Sequence, residues 1–166
     1  MKTHARILLA LGLCLALLAA CKGPGAPAGE GGQKLTTLDM GAVERHFAEN
    51  KEKGRVTLVM FWATWCPACK TELPVLENLR AKYPADKLDI MAISVDDTEE
   101  AMTGYLKTRP VPLDVYLSKA DVGSEFGVKS IPALYILDRE GQVAFNSSGA
   151  YPLEMLDTVL SPLVKE

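Results

Sequence analysis

At 166 residues, 48% of them hydrophobic and 23% charged, the chain has room for one domain of ordinary size plus appendages. Eighteen basic residues stand against 21 acidic ones, a formal charge of −3. That balance supplies no basic surface for a phosphate backbone and argues against nucleic acid as a partner.

The appendage comes first. Lys2 and Arg6 make a short basic start, and the apolar stretch from Ile7 to Ala20 is shorter than the roughly 20 residues that a bilayer-spanning helix needs. It reads as an export signal, with Cys14 discarded inside it. The closing Leu18-Ala19-Ala20-Cys21 resembles the lipobox of bacterial lipoproteins, which implies that the Cys21 thiol takes a diacylglycerol and that Cys21 becomes the mature N-terminus. An ordinary secretory signal with Ala-x-Ala cleavage is the alternative. Residues 1–20 carry two of the 18 basic residues and no acidic one, so removing them leaves 16 against 21, a formal −5. Residues 21–34, rich in glycine, proline and alanine, cannot bury apolar surface and read as a flexible tether. The globular domain is expected over 35–166.

Within it, Asp39 can cap a helix running to about Lys53, with Val43 and Phe47 on one face and Gly54 as terminator. Val56 to Trp62 is a continuous β-branched and aromatic run, the pattern of a strand buried on both faces. Cys66 then falls at a helix cap and Pro67 at the first helical position, where a missing N–H costs nothing. Leu73, Leu76, Leu79 and Tyr83 give this helix an apolar stripe, and Pro74 is expected to kink it. Leu88 to Val95 reads as a second buried strand. Asp97 with Glu100 suggests a capping box for a helix over 98–108. Leu113 to Leu117 suggests a short strand, Ala120 to Phe126 a short helix stopped by Gly127, and Ala133 to Asn146 an antiparallel hairpin around Asp138-Arg139-Glu140-Gly141. Leu153, Leu156, Leu160 and Leu163 mark a last helix over 152–164. The β-α-β-α order predicts an α/β fold with parallel strands and right-handed crossovers.

The chemistry sits in Trp65-Cys66-Pro67-Ala68-Cys69. Two cysteines three apart in a first helical turn can close a small disulfide ring, and the helix N-terminus favours the thiolate of the first, which is the attacking form. A zinc site needs about four ligands, and outside the leader only Cys21, Cys66, Cys69 and His46 could contribute. With Cys21 lipidated, the exported domain holds one dithiol and no structural disulfide, a working pair rather than a staple. His46, on the first helix, reads as a surface residue.

Phe61-Trp62-Ala63-x-Trp65-Cys66-x-x-Cys69-Lys70, the later Ser130-Ile131-Pro132 before an apolar strand, and the C-terminal helix together resemble the thioredoxin superfamily. Cys69-Lys70-Thr71-Glu72-Leu73-Pro74, the inserted helix near 98–108 and Gly127-Val128-Lys129-Ser130-Ile131-Pro132-Ala133 are similar to its TlpA/ResA-like, membrane-tethered thiol-disulfide oxidoreductases. The resemblance spans about 35–163. It implies a thioredoxin-like fold: a central mixed β-sheet flanked by helices, with a helical insertion between central strands. It implies Cys66 as the more exposed attacking thiol, Cys69 as the buried resolving thiol, and Pro132 as the residue after a cis peptide bond facing them. Such a bond turns the Ile131 backbone toward the sulfurs, where an extended substrate can pair with it. Trp65, Pro67 and Ala68 would complete the docking surface, while Trp62 belongs to the core. Glu72 matches a carboxylate thought to move protons near the cysteines; a solvated glutamate in a helix first turn is the plain alternative. Thioredoxin itself has a buried aspartate six residues before its first cysteine; here that place is Met60, so the duty would pass to Glu72.

The expected activity is thiol-disulfide exchange without metal or organic cofactor. Superfamily potentials run from about −270 mV to about −120 mV, and Pro67-Ala68 brings no histidine to stabilise the thiolate. This favours a reductase of exported proteins, recharged by a membrane thiol-electron donor, over a disulfide-forming oxidase. Apocytochrome c is one candidate substrate. A thiol peroxidase is a further alternative, although its Thr-x-x-Cys context is missing because Thr64 lies two before Cys66; a tethered interaction module with a vestigial dithiol is another. The protein would be an extracytoplasmic monomer, lipid-anchored to a bacterial membrane and periplasm-facing in a Gram-negative cell. Lys22 is not the aspartate associated with inner-membrane retention.

Overall fold

A computed structural model describes residues 35–96 and 98–165. The expected leader, the tether, Cys21 and the Asp97 cap lie outside the described residues. In chain order the elements are β1 (Thr36–Leu38), α1 (Met40–Glu52), β2 (Val56–Trp62), α2 (Pro67–Lys82), β3 (Leu88–Ser94), α3 (Glu99–Thr108), β4 (Asp114–Ser118), α4 (Ala120–Glu125), β5 (Ala133–Leu137), β6 (Val143–Ser148) and α5 (Leu153–Lys165).

The strands form one mixed sheet in the order β1-β4-β3-β2-β5-β6. β2 pairs in parallel with β3, from Val56↔Leu88 to Trp62↔Ser94, and antiparallel with β5, from Thr57↔Leu137 to Phe61↔Ala133. Every residue of β2 and β3 is buried, which explains their unbroken apolar sequence: successive side chains point to opposite faces and both faces are covered. Leu58, Met60 and Trp62 meet Leu73, Leu76 and Leu79 of α2, Met102 of α3 and Leu156 and Leu160 of α5. On the other face Val59 and Phe61 join Val43 of α1 and Val122 of α4. Each such leucine, fully buried, stabilises the fold by about 1.5–3 kcal/mol.

Some expectations needed correction. β1 was not expected: it is three residues long and two of them are exposed threonines, too short to show a periodicity, yet it pairs in parallel with β4. The cap of α3 is Thr98, whose Oγ1 accepts from the Ala101 N–H at 3.2 Å, so this helix starts one residue later than a cap at Asp97 would place it. His46 is not a plain surface residue. Its Nε2 lies 2.6 Å from Asp89 Oδ2, and the Asn50 amide donates to the same oxygen at 2.8 Å and to Thr57 Oγ1 at 2.8 Å. Burial pushes the Asp89 carboxyl up, but the hydrogen bonds from His46 and Asn50 outweigh it and hold Asp89 below its usual value. This polar cluster ties α1 to the starts of β2 and β3, the opposite strand ends from those that lead to the cysteines.

Candidate active site

β2 delivers the chain to the C-terminal edge of the sheet at Trp62, and the turn 63–65 hands it to α2. Cys66 caps that helix: it has extended backbone angles (φ −89°, ψ 109°) and its Sγ accepts the Cys69 N–H at 3.1 Å, with Pro67 as the first helical residue. A sulfur placed this way meets an unpaired backbone donor and the positive end of the helix, both of which favour a thiolate. The two cysteines are joined in a disulfide, with Cα atoms 5.3 Å apart. Cys66 keeps 5% of its surface exposed and Cys69 none, so a partner can reach only the first.

Opposite stands the segment before β5. The Ile131–Pro132 peptide is cis, and the Ile131 carbonyl oxygen lies 3.9 Å from Cys66 Sγ. Pro67 and Ala68 are exposed beside the sulfurs, and Trp65 is 65% exposed, a large apolar side chain left open to solvent at the site. A groove of about 640 Å³ runs from Trp65 to Ile131 past Val95, Asp96 and Val128. Trp62, by contrast, is fully buried, as is Met60.

Glu72 lies one helical turn beyond Cys69, on the same side of α2. It is not solvated: 1% of it is exposed. Burial pushes its carboxyl above the ordinary value, and the Tyr151 N–H, which donates to Oε2 at 2.8 Å, partly opposes that rise. Its Oε1 has no protein partner among the described residues. The loop that holds it also holds the proline segment, because the Gly149 N–H donates to the Pro132 carbonyl at 2.8 Å. Gly149 has φ +114°, a conformation that side chains other than glycine's rarely adopt. The structure therefore brings Cys66, Cys69, Glu72, Ile131, Pro132, Trp65, Pro67 and Ala68 to one edge of the sheet.

Two participants escaped the sequence. Asp96 lines the groove and binds the turn before Cys66 through Thr64; the only signal was a polar pair, Ser94 and Asp96, interrupting the end of an apolar strand. Tyr151 acts through its backbone, which no side-chain pattern reveals. Among the described residues no three His, Cys, Asp or Glu side chains cluster to hold a metal. The chemistry open to this arrangement is that of a dithiol and its disulfide beside a buried acid.

Comparison with known proteins agrees with this geometry. The sequence pattern of the family described as thioredoxin-like matches residues 54–143, more than half of the chain. The thioredoxin-like protein YneN of Bacillus subtilis is 34% identical over 94 residues, 55% of this chain and 55% of that one. The thiol-disulfide oxidoreductase ResA of Bacillus cereus is 28% identical over 112 residues, 67% of this chain and 65% of the relative. The chain thus spans between about half and two thirds of the length of these curated relatives. Among solved structures, dsbF of MTB superposes with a TM-score of 0.58 at 28% identity, covering 66% of this chain and 81% of that one. StoA of Bacillus subtilis gives a TM-score of 0.58 at 24% identity over 64% and 82%, a likeness of fold. With its matched sequence pattern, its mixed sheet and its cysteine pair opposite a cis-proline, the chain belongs to the thioredoxin-like family.

Proposed function

We propose that this protein is an extracytoplasmic thiol-disulfide oxidoreductase, anchored by a lipid on Cys21, that reduces disulfides of exported proteins. The observation that carries the reading is Cys66 Sγ itself: it sits at a helix N-terminus, accepts the Cys69 N–H and faces the Ile131 carbonyl. The name of the relative ResA, a thiol-disulfide oxidoreductase, supports the same chemistry.

In the reduced state the Cys66 thiolate attacks one sulfur of the partner disulfide. A new S–S bond forms to Cys66, the partner S–S bond breaks, and the departing partner sulfur takes a proton. The partner strand lies along the Ile131 backbone, as an added strand lies on a sheet edge. Cys69 then gives its proton to Glu72 and attacks Cys66 Sγ, which expels the second partner sulfur as a thiolate. Two electrons have passed from the dithiol to the partner, and the Cys66–Cys69 disulfide of the structure is the product state. A membrane thiol-electron donor restores the dithiol. Apocytochrome c belongs to the substrate class this describes.

Direction follows from redox poise. With Pro67-Ala68 between the cysteines, no histidine stands in the motif to add to the helix and the Cys69 N–H in stabilising the thiolate. The expected potential, measured by equilibration with glutathione, lies nearer the roughly −270 mV of thioredoxin than the roughly −120 mV of DsbA. A value above about −150 mV would make the protein an oxidase. The anchor has its own test: cells fed radiolabelled fatty acid are expected to label the parent chain and not Cys21→Ser. Label in neither chain would leave a secreted, unanchored protein.

A further inference from the structure

Resting on the thiol-exchange reading, the structure assigns Asp96 as a positioning residue that holds the turn before Cys66 in place opposite the Ile131 segment. Asp96 sits just past the end of β3, with 5% of its surface exposed. Its carboxylate is filled by donors from two residues. Thr64 N–H donates to it at 3.0 and 3.2 Å, Thr64 Oγ1–H at 2.7 Å and Ser94 Oγ–H at 2.5 Å. The Asp96 N–H donates back to Ser94 Oγ at 3.0 Å, which fixes the carboxylate's own direction.

The turn needs such a tie. The β2–β3 ladder closes with the Val95 N–H on the Trp62 carbonyl at 2.8 Å, and the α2 side begins with the Cys66 N–H on the Ala63 carbonyl at 3.1 Å. Thr64 lies between these bonds, where its N–H has left the sheet and not yet entered the helix. A backbone donor here needs a partner, and Asp96 supplies one while also gripping the Thr64 side chain. Thr64 is two residues from the nucleophile and adjacent to Trp65. Asp96 is also one of the residues that line the groove shared by Trp65 and Ile131. One side chain thereby fixes both the approach of Cys66 Sγ and the surface against which a polypeptide would lie.

Orientation matters for a polypeptide held on the Ile131 backbone and hardly at all for a small reagent that approaches freely. The discriminating quantity is therefore the ratio of the rate constants of the reduced protein toward insulin disulfides and toward a small aromatic disulfide. Asp96→Ala is expected to lose about tenfold on insulin and less than threefold on the small disulfide. This is below the roughly hundredfold that a 1 Å misplacement of an oriented group can cost. Asp96→Asn keeps an acceptor for the Thr64 N–H, and its amide can donate to either hydroxyl; it is expected to stay within threefold of the parent on both. Should Asp96→Ala fail to melt cooperatively, Thr64→Val, which removes only the Oγ1 bond, is expected to lower the insulin-to-small-disulfide ratio about threefold. A ratio unchanged in these variants overturns the assignment, as does Asp96→Asn falling as far as Asp96→Ala, since charge rather than hydrogen bonding would then carry the effect. A parent protein that reacts with neither disulfide overturns the thiol-exchange reading, and the assignment with it.

Discussion

Serine in place of Cys66 is expected to abolish reduction of protein disulfides, by about a thousandfold or more, because no second sulfur can take its place. Cys69 is fully buried, so a polypeptide disulfide cannot reach it, and a serine hydroxyl at 66 is not acidic enough to attack at neutral pH. The complementary variant, Cys69→Ala, keeps the attacking sulfur and removes the one that resolves. It is expected to accumulate mixed disulfides with its partners, visible as thiol-sensitive bands on non-reducing gels, while multiple turnover with insulin stops. Cys69→Ala also retains the residue-69 backbone N–H that Cys66 Sγ accepts, so the Cys66 thiolate keeps its principal local donor. Residual turnover above about a tenth of the parent's in Cys66→Ser would show that the reaction does not begin at this sulfur. Absence of any trapped partner in Cys69→Ala would leave the domain a module that binds without exchange.

The parts of the site that sequence made legible are those whose signals are local. β2 declares itself by seven consecutive residues suited to a strand buried on both faces, and the start of α2 by Pro67 at its first position. The hairpin β5–β6 is announced by its turn residues, with Gly141 at φ +78°. What stayed hidden depends on partners distant in the chain. A glutamate in the first turns of a helix looks the same whether water or protein covers it, and Glu72 is covered by a loop 79 positions away. Asp96 gains its meaning from Thr64, 32 positions earlier, and His46 from Asp89, 43 positions later. The sequence offers no period or spacing for such pairs; tertiary packing creates them, through the β2–β3 register for Thr64 and Asp96, α1 against β3 for His46 and Asp89, and the loop after β6 against α2 for Glu72. β1 escaped for the opposite reason, being local but too short to carry a pattern.

Glu72→Gln separates the two halves of the proposed reaction. Mixed-disulfide formation needs only the Cys66 thiolate, so its rate is expected to stay within about threefold of the parent. Resolution needs the proton of buried Cys69 removed, and losing the acid/base group is expected to slow it by about a hundredfold, the lower end of what general base catalysis contributes. Glutamine fills the same space and its carbonyl can still accept the Tyr151 N–H, so the loop that also holds Pro132 stays in place. Stability supplies an independent reading of the same carboxyl. Because burial raises its pKa above 4.5, the folded chain holds the proton more tightly than the unfolded chain does. Below 4.5 both states are protonated and the group is neutral in each. As pH climbs from 4.5 through the higher folded value, the unfolded chain binds fewer protons than the folded one until both have released them, so this group's contribution to stability falls across that window. Glutamine cannot lose a proton, so the variant escapes the fall. Urea midpoints of the oxidised proteins at pH 4 and pH 7 are expected to move in the variant's favour at the higher pH. A difference between variant and parent that is the same at both pH values would mean that Glu72 titrates as an ordinary solvated carboxylate. The resolving thiol would then have to find another base.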